Sequence, residues 1–212
     1  FNELYFFEGK KNKKIKPFTF GIYLNNFNMK EDYIELNGDI SITISTSDYN
    51  IGIAIYNGLL KLDEFKFDDY KYKNYELIIK RISLIKEKKV NENVMLCKTL
   101  SPIHIKDKNN KPIQINDSNF ENELNYISNV FLQSYRGFGL KQNLKFTPIK
   151  MKKQVIKEEI RGFTEVTNKK YIFIDSYSGI FSLEGDSEDL NLLLQNGIGF
   201  RRSEGLGCID LI

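Results

Sequence analysis

The second half of this chain switches hydrophobic period in a fixed order, and that order limits the folds open to it. VMLCKTLSPIHI (94–105) has strand content interrupted by a Ser-Pro break. NDSNFENELNYISNVFLQSYRGFG (116–139) places Phe120, Leu124, Ile127, Val130 and Phe131 at helical spacing. An Asn or Ser precedes that helix as a cap, and Gly137 and Gly139 end it. LKFTPIKMKKQVIKEEIRGFTEV (144–166) reads as two strands joined by a short charged turn. KKYIFIDSYSGIFSLEGD (169–186) is a further strand. DSEDLNLLLQNG (186–197) is a short helix with acidic residues in its first turn, where the helix dipole favours them. GCIDLI closes the chain as a strand.

A pattern of period 3.6 does not serve as one of period 2. The order β-α-β-β-(β)-α-β therefore predicts an α+β domain of ferredoxin-like (RRM-like) type, an antiparallel sheet with helices on one face. The first half repeats part of this order. KPFTFGIYL (16–24) reads as a strand, and DISITISTS (39–47) sets Ile40, Ile42 and Ile44 against Ser41, Thr43 and Ser45. SDYNIGIAIYNGLLKLDEF (47–65) has Ile51, Ala54, Ile55, Leu59 and Leu62 at helical spacing, and YELIIKRISLIKEK (75–88) is strand-like. This is the same pattern without its opening strand and helix, which are expected upstream of Phe1. The polar stretch KEKKVNEN suits a boundary. The expectation is two tandem ferredoxin-like domains, 1–92 and 93–212.

An apolar fraction of 41% is enough for a core, and the net charge is only +3. The charge is unevenly spread. Residues 10–16, KKNKKIK, hold five lysines; residues 150–161, KMKKQVIKEEIR, hold four lysines and Arg161. Acidic residues cluster at 63–69 and 184–189. Separation of this kind makes local positive field without large net charge, although any one run also fits a solvated face. Cys97 and Cys208 lack metal-ligand spacing and read as reduced thiols of a cytoplasmic protein. His104 is the single histidine, so a catalytic triad or His-rich metal site would have to be built around it. Its place reads as that of a strand histidine. No apolar run approaches a membrane span, and FNELYFFEGKK has no signal-peptide layout. Neither a metal nor a cofactor is expected.

The tail GIGFRRSEGLG concentrates Gly197, Gly199, Gly205 and Gly207 around Arg201 and Arg202. Glycine backbone approaches ligands closely, and exposed N–H groups with two arginines suit a phosphate. The spacing matches neither GxGxxG nor a P-loop, and taken alone it fits an irregular structural loop better than a binding loop.

Taken with two further stretches, this tail resembles that of the CRISPR-associated repeat-processing endoribonucleases. In that family a helix leads into G-h-G, then basic and Ser residues, a second G-h-G and a last strand. KPFTFGIYL resembles the family's strand after its catalytic loop, and KTLSPIHI (98–105) the Thr-Leu-Ser-Pro-Ile strand of its second domain. The resemblance covers nearly the whole chain. It implies tandem ferredoxin-like domains and a CRISPR repeat RNA as partner. It also implies metal-independent cleavage, in which the ribose 2′-OH attacks the neighbouring phosphate and leaves a 2′,3′-cyclic phosphate.

Such chemistry needs a base, an acid and a cation for the crowded phosphate. The family's Tyr-x-His-Glu stretch aligns with Tyr5-Phe6-Phe7-Glu8, so Phe7 stands where the family has its histidine. Lys16 aligns with the family's catalytic lysine, with Lys13 and Lys14 close by. The resemblance further implies RNA contacts at Lys152, Lys153, Arg161, Gly197, Gly199, Arg201, Arg202, Ser203, Gly205 and Gly207. The 150–161 segment reads as a charged hairpin or as one inserted at the base of an RNA stem. Three alternatives to an active nuclease stay open. They are a member that binds repeat RNA without cutting it, a structural subunit of a CRISPR effector complex, and a generic ferredoxin-like RNA-binding module. A homodimer is also open.

Overall fold

Residues 94–99 alternate because every second side chain enters a core: Met95 and Cys97 are buried, whereas Val94, Leu96 and Lys98 face outward. The computed structural model describes residues 15–31, 33–62, 79–158 and 171–212. In chain order its elements are β1 (Phe18–Leu24), β2 (Phe27–Met29), β3 (Ile34–Leu36), β4 (Ile40–Thr46) and α1 (Tyr49–Leu60). There follow β5 (Val94–Thr99), α2 (Asn119–Arg136), β6 (Lys145–Glu158), β7 (Ile172–Glu184), α3 (Ser187–Asn196), a 3-10 turn (Arg202–Glu204) and β8 (Ile209–Leu211).

The second half is the predicted ferredoxin-like unit. Its sheet has the order β6-β7-β5-β8, with every neighbouring pair antiparallel. Helix α2 buries Phe120, Leu124, Phe131 and Leu132. Phe146 links the helix to the sheet, with ring centroids 5.1 Å from Phe120 and 5.0 Å from Phe181. Gly137 ends α2 at φ 90°, its N–H donating to the Gln133 carbonyl. Asp186 caps α3 by accepting from the N–H groups of Glu188 and Asp189. Ser118 precedes α2 but its hydroxyl makes no capping bond.

The elements depart from the expected pattern at three places. Of the 144–166 segment expected as two strands joined by a charged turn, Lys145–Glu158 is one strand with no turn inside it, and 159–166 lie outside the described residues. The strand pairs with β7 from Lys145↔Glu184 to Glu158↔Ile172, with a single irregularity between Pro148 and Lys150. Because β6 is the edge strand, a residue without an N–H is absorbed at a bulge there and does not end the strand. Secondly, residues 79–88 form neither strand nor helix, while 75–78 lie outside the described residues. Side chains hold this connection. Asn191 accepts from the Val90 N–H and donates to its carbonyl, and Lys88 pairs with Asp210 at 2.8 Å. Thirdly, β2 and β3 form a short ribbon between β1 and β4 that the sequence reading passed over.

Strands β1 and β4 pair over their full length, from Phe18↔Thr46 to Leu24↔Ile40. Thr19 and Gly21 are buried, whereas Ile40, Ile42 and Ile44 are exposed. An alanine-like Cβ at Gly21 would lie 2.8 Å from the Leu100 carbonyl oxygen, so β1 rests directly on the start of the Ser-Pro segment. The face that packs is the small, polar one. Helix α1, capped by Asp48, buries Ile51 and leaves Ala54 exposed.

Candidate nucleic-acid interface

The tail between α3 and β8 is built from left-handed backbone. Gly197, Gly199, Arg201, Gly205 and Gly207 have φ of 78°, 80°, 60°, 88° and 68°. The glycines are needed twice over, for conformation and for space. A Cβ on Gly207 would sit 1.9 Å from the Ile198 carbonyl oxygen, and one on Gly197 would sit 2.6 Å from that of Gly207. The two limbs of the loop cross there, joined by the Ile198 N–H donating to the Gly207 carbonyl at 2.9 Å. Gly199 packs on the His104 carbonyl and Gly205 on the Phe20 ring.

The same bonds bring together the three stretches that carry the resemblance. Thr19 of the Phe-Thr-Phe strand donates its hydroxyl to the Leu206 carbonyl at 3.2 Å. The Gly207 N–H donates to the Pro102 carbonyl at 2.8 Å, and the Cys208 N–H to Ser101 Oγ at 2.9 Å. The Phe200 N–H donates to the His104 carbonyl at 2.9 Å. The tail is thus clamped between β1 and the Ser-Pro segment, which fixes what it presents outward.

Its two arginines are separated by this clamp. Arg202 turns inward. Only 6% of it is exposed, its guanidinium lies 3.8 Å from the centroid of the Phe131 ring, and one N–H reaches the Asn196 carbonyl at 3.5 Å. Burial pulls its pKa down to about 10, so it stays charged at neutral pH. Arg201 lies at the rim. Its guanidinium pairs with Glu158 at 2.7 Å and with Glu204 at 2.5 Å. A phosphate approaching Arg201 would compete with two carboxylates. Ser203 sits half-buried in the turn between Arg202 and Glu204.

His104 lies under the same loop. Its Nδ1–H donates to the Asp175 carbonyl at 2.7 Å, which leaves Nε2 as the unprotonated nitrogen of a neutral ring. Burial holds its pKa below the ordinary value; the Asp175 bond opposes this, and Lys106 and Arg201 add to it. Phe200 meets the ring edge-on at 6.4 Å, and Lys106 Nζ stands 5.2 Å from the Phe200 centroid.

The remaining predicted residues are scattered. Lys16 is exposed where the chain enters β1, beside Ile15, which packs on the second unit's core. Lys152 and Lys153 are exposed on β6, with Lys153 paired to Asp175 at 2.6 Å. Phe7, Lys13, Lys14 and Arg161 lie outside the described residues. Among the described residues no cluster of three or more His, Cys, Asp or Glu side chains suits a metal, and no helix is long and apolar enough to cross a membrane. Gly179 carries a local signal, since a glycine inside a strand pattern marks a bulge or close approach. Ser47 and Asn196 join the halves, a contact with no local signal in the sequence.

The fold and the clamped tail define a class, the α+β proteins of tandem ferredoxin-like architecture with a glycine-rich C-terminal loop. The sequence model of the family described as CRISPR associated protein Cas6, C-terminal, matches residues 85–211. The chain belongs to that family. Among solved structures it is similar to a Cas6-related protein from Pyrococcus furiosus, at 23% identity and TM-score 0.74, over 92% of this chain and 78% of the other. It is also similar to a RAMP protein described as binding different RNA substrates, at 24% identity and TM-score 0.71, over 92% of this chain and 79% of that one. A third structure, of a CRISPR associated protein Cas6, matches at 20% identity and TM-score 0.68, over 94% and 80%. No curated protein matches the chain.

Proposed function

We propose that this protein binds CRISPR repeat RNA and cleaves the precursor at a fixed position by metal-independent attack of a ribose 2′-OH, leaving a 2′,3′-cyclic phosphate. The observation that carries the reading is the interlock of the three family-like stretches. Thr19, the Ser101–His104 segment and the 197–208 tail are bonded to one another within a chain whose residues 85–211 match the Cas6 C-terminal family. In this reading the RNA backbone runs along the rim at Arg201 and the lysines of β6, and Lys16 stabilises the phosphate charge.

The test is incubation with the protein's own repeat RNA in EDTA. Products ending in a cyclic phosphate are expected. Cleavage that requires Mg²⁺ would reject the mechanism, and absence of RNA binding would reject the reading altogether.

A second reading, binding without cutting, is favoured by Phe7 at the aligned histidine position and by the burial of His104, 6% exposed beneath the loop. In that case the wild type binds repeat RNA but leaves it intact, and Phe7→His restores cleavage.

A further inference from the structure

A groove of about 600 Å³ opens on the sheet of the second unit, where Lys98 and Lys152 are exposed. That volume lies within the range that holds small ligands, about 300–1,000 Å³. Its floor is Gly179 and Ile180 of β7, flanked by Thr99 and Ser178. Gly179 adopts φ 147°, and a Cβ there would lie 1.9 Å from the Lys150 carbonyl oxygen. The floor is therefore backbone, pressed close to the β6 bulge between Pro148 and Lys150, and the Gly179 N–H is satisfied by Thr99 Oγ1 at 3.0 Å.

Lysines line the groove from strands on either side, Lys98 from β5 and Lys152 and Lys153 from β6. Their charges are unequally compensated. Lys153 is taken by Asp175 at 2.6 Å. Lys98 is 3.8 Å from Asp210, whose other oxygen is committed to Lys88 at 2.8 Å. Lys152 makes no ion pair among the described residues. The groove thus combines an apolar, side-chain-poor floor with under-compensated positive charge at its edges.

We propose that this groove binds one unpaired nucleotide of a single-stranded RNA segment, with Lys152 and Lys98 on its phosphate and Gly179 and Ile180 beneath its base or ribose. The proposal rests on the reading of the protein as an RNA binder and adds a subsite to it. A duplex presents only its backbone and shallow groove edges, since its base faces are stacked, whereas an unpaired nucleotide offers the flat face that such a floor accepts. No aromatic ring lines the floor, so the subsite holds a nucleotide without strong base preference.

The experiment compares two labelled RNAs across a salt series. One is an oligouridylate of about ten nucleotides, within the site size of single-strand binders. The other is an RNA hairpin without unpaired flanks. The proteins are the wild type and the exposed-surface double variant Lys98→Ala/Lys152→Ala. The variant is expected to bind the oligouridylate about tenfold more weakly, the loss for charge-assisted bonds to phosphate. Its plot of log K against log salt is expected to flatten by about 0.7, the slope of one single-strand phosphate contact. Hairpin binding is expected to weaken by a clearly smaller factor, because Lys152 also serves the RNA backbone along β6. Equal losses on both RNAs, or no loss on the oligouridylate, would overturn the groove alone. Wild type that binds the hairpin but not the oligouridylate would also overturn the groove and leave the RNA-binding reading standing. Failure to bind either of these RNAs or the protein's own repeat would remove both.

Discussion

Arg201 and Arg202 are neighbours in sequence and opposites in environment. Arg202 is a buried cation facing the Phe131 ring, and Arg201 is a rim cation held between Glu158 and Glu204. Desolvating a charge is costly, and a well-packed apolar side chain often serves as well in such a place. Arg202→Ala should therefore lower stability by about 2–4 kcal/mol, the range for emptying a large core position. Arg202→Met should lower it by much less and leave the salt slope of RNA binding unchanged. Denaturant unfolding and salt titration check both. Arg201→Ala should instead leave stability nearly unchanged and flatten the slope by about 1.

His104 gives a pH dependence whose sign follows from its lowered pKa. Above its ordinary value the ring is neutral in both states. As pH falls, the unfolded chain takes up the proton first, so this contribution to stability is present above the unfolded value and is lost below it. Between about pH 7.5 and pH 5.5 the melting temperature should fall, and should fall less steeply in His104→Gln. Equal slopes in the two proteins would contradict the buried neutral ring.

At the scale of elements, α2 and α3 are tied together by a carboxylate. Asp189 is wholly buried and accepts from Arg136 at 2.5 Å and from the Lys141 N–H at 2.7 Å. Arg136 also donates to the Gly139 carbonyl at 2.7 Å, so the left-handed end of α2 is stitched to the start of α3. Asp189→Ala would leave the partly buried Arg136 with Glu188, 3.3 Å away, as its remaining charge partner, at a cost of roughly 1–3 kcal/mol, measurable by chemical denaturation. Both helices were legible in the sequence because their caps and stripes are local: Gly137, Asp186 and the Phe120–Leu124–Phe131 spacing all do what their positions imply. The length of strand β6 was not, since a run of charged residues suits a turn or an exposed edge strand alike, and pairing with β7 decides which. Nor was the 79–88 connection. Its apolar content suits a strand, but Leu84 and Ile85 remain exposed, and the segment is anchored by Lys88 on Asp210 and, just past its end, by Val90 on Asn191.

At the scale of the whole molecule, the described residues of the two halves meet through specific bonds. Asn196, fully buried at the end of α3, accepts from the Ser47 hydroxyl at 3.2 Å and donates back at 2.8 Å. The Ser47 carbonyl accepts from Tyr135 at 3.2 Å, and Thr19 reaches Leu206. Asn196→Ala should cost about 1–3 kcal/mol through the polar groups it leaves unpaired. It should also loosen the β1–β4 unit from the tail. Hydrogen exchange in 18–24 should then accelerate more than exchange in 94–99. Uniform acceleration would mean the halves unfold as one.

By itself the sequence determined the order of elements in the second half, because hydrophobic period and helix caps are properties of neighbouring residues. It also marked the tail as a special loop, because four glycines around two arginines are visible without a fold. Only the tertiary structure decided what those glycines are for. They let Ile198 and Gly207 cross and let Thr19, Phe20, Pro102 and His104 close on the loop, contacts between residues up to 187 positions apart. It alone decided that Arg202 faces inward and Arg201 outward, since identical side chains on adjacent positions differ only in what the rest of the chain brings to them.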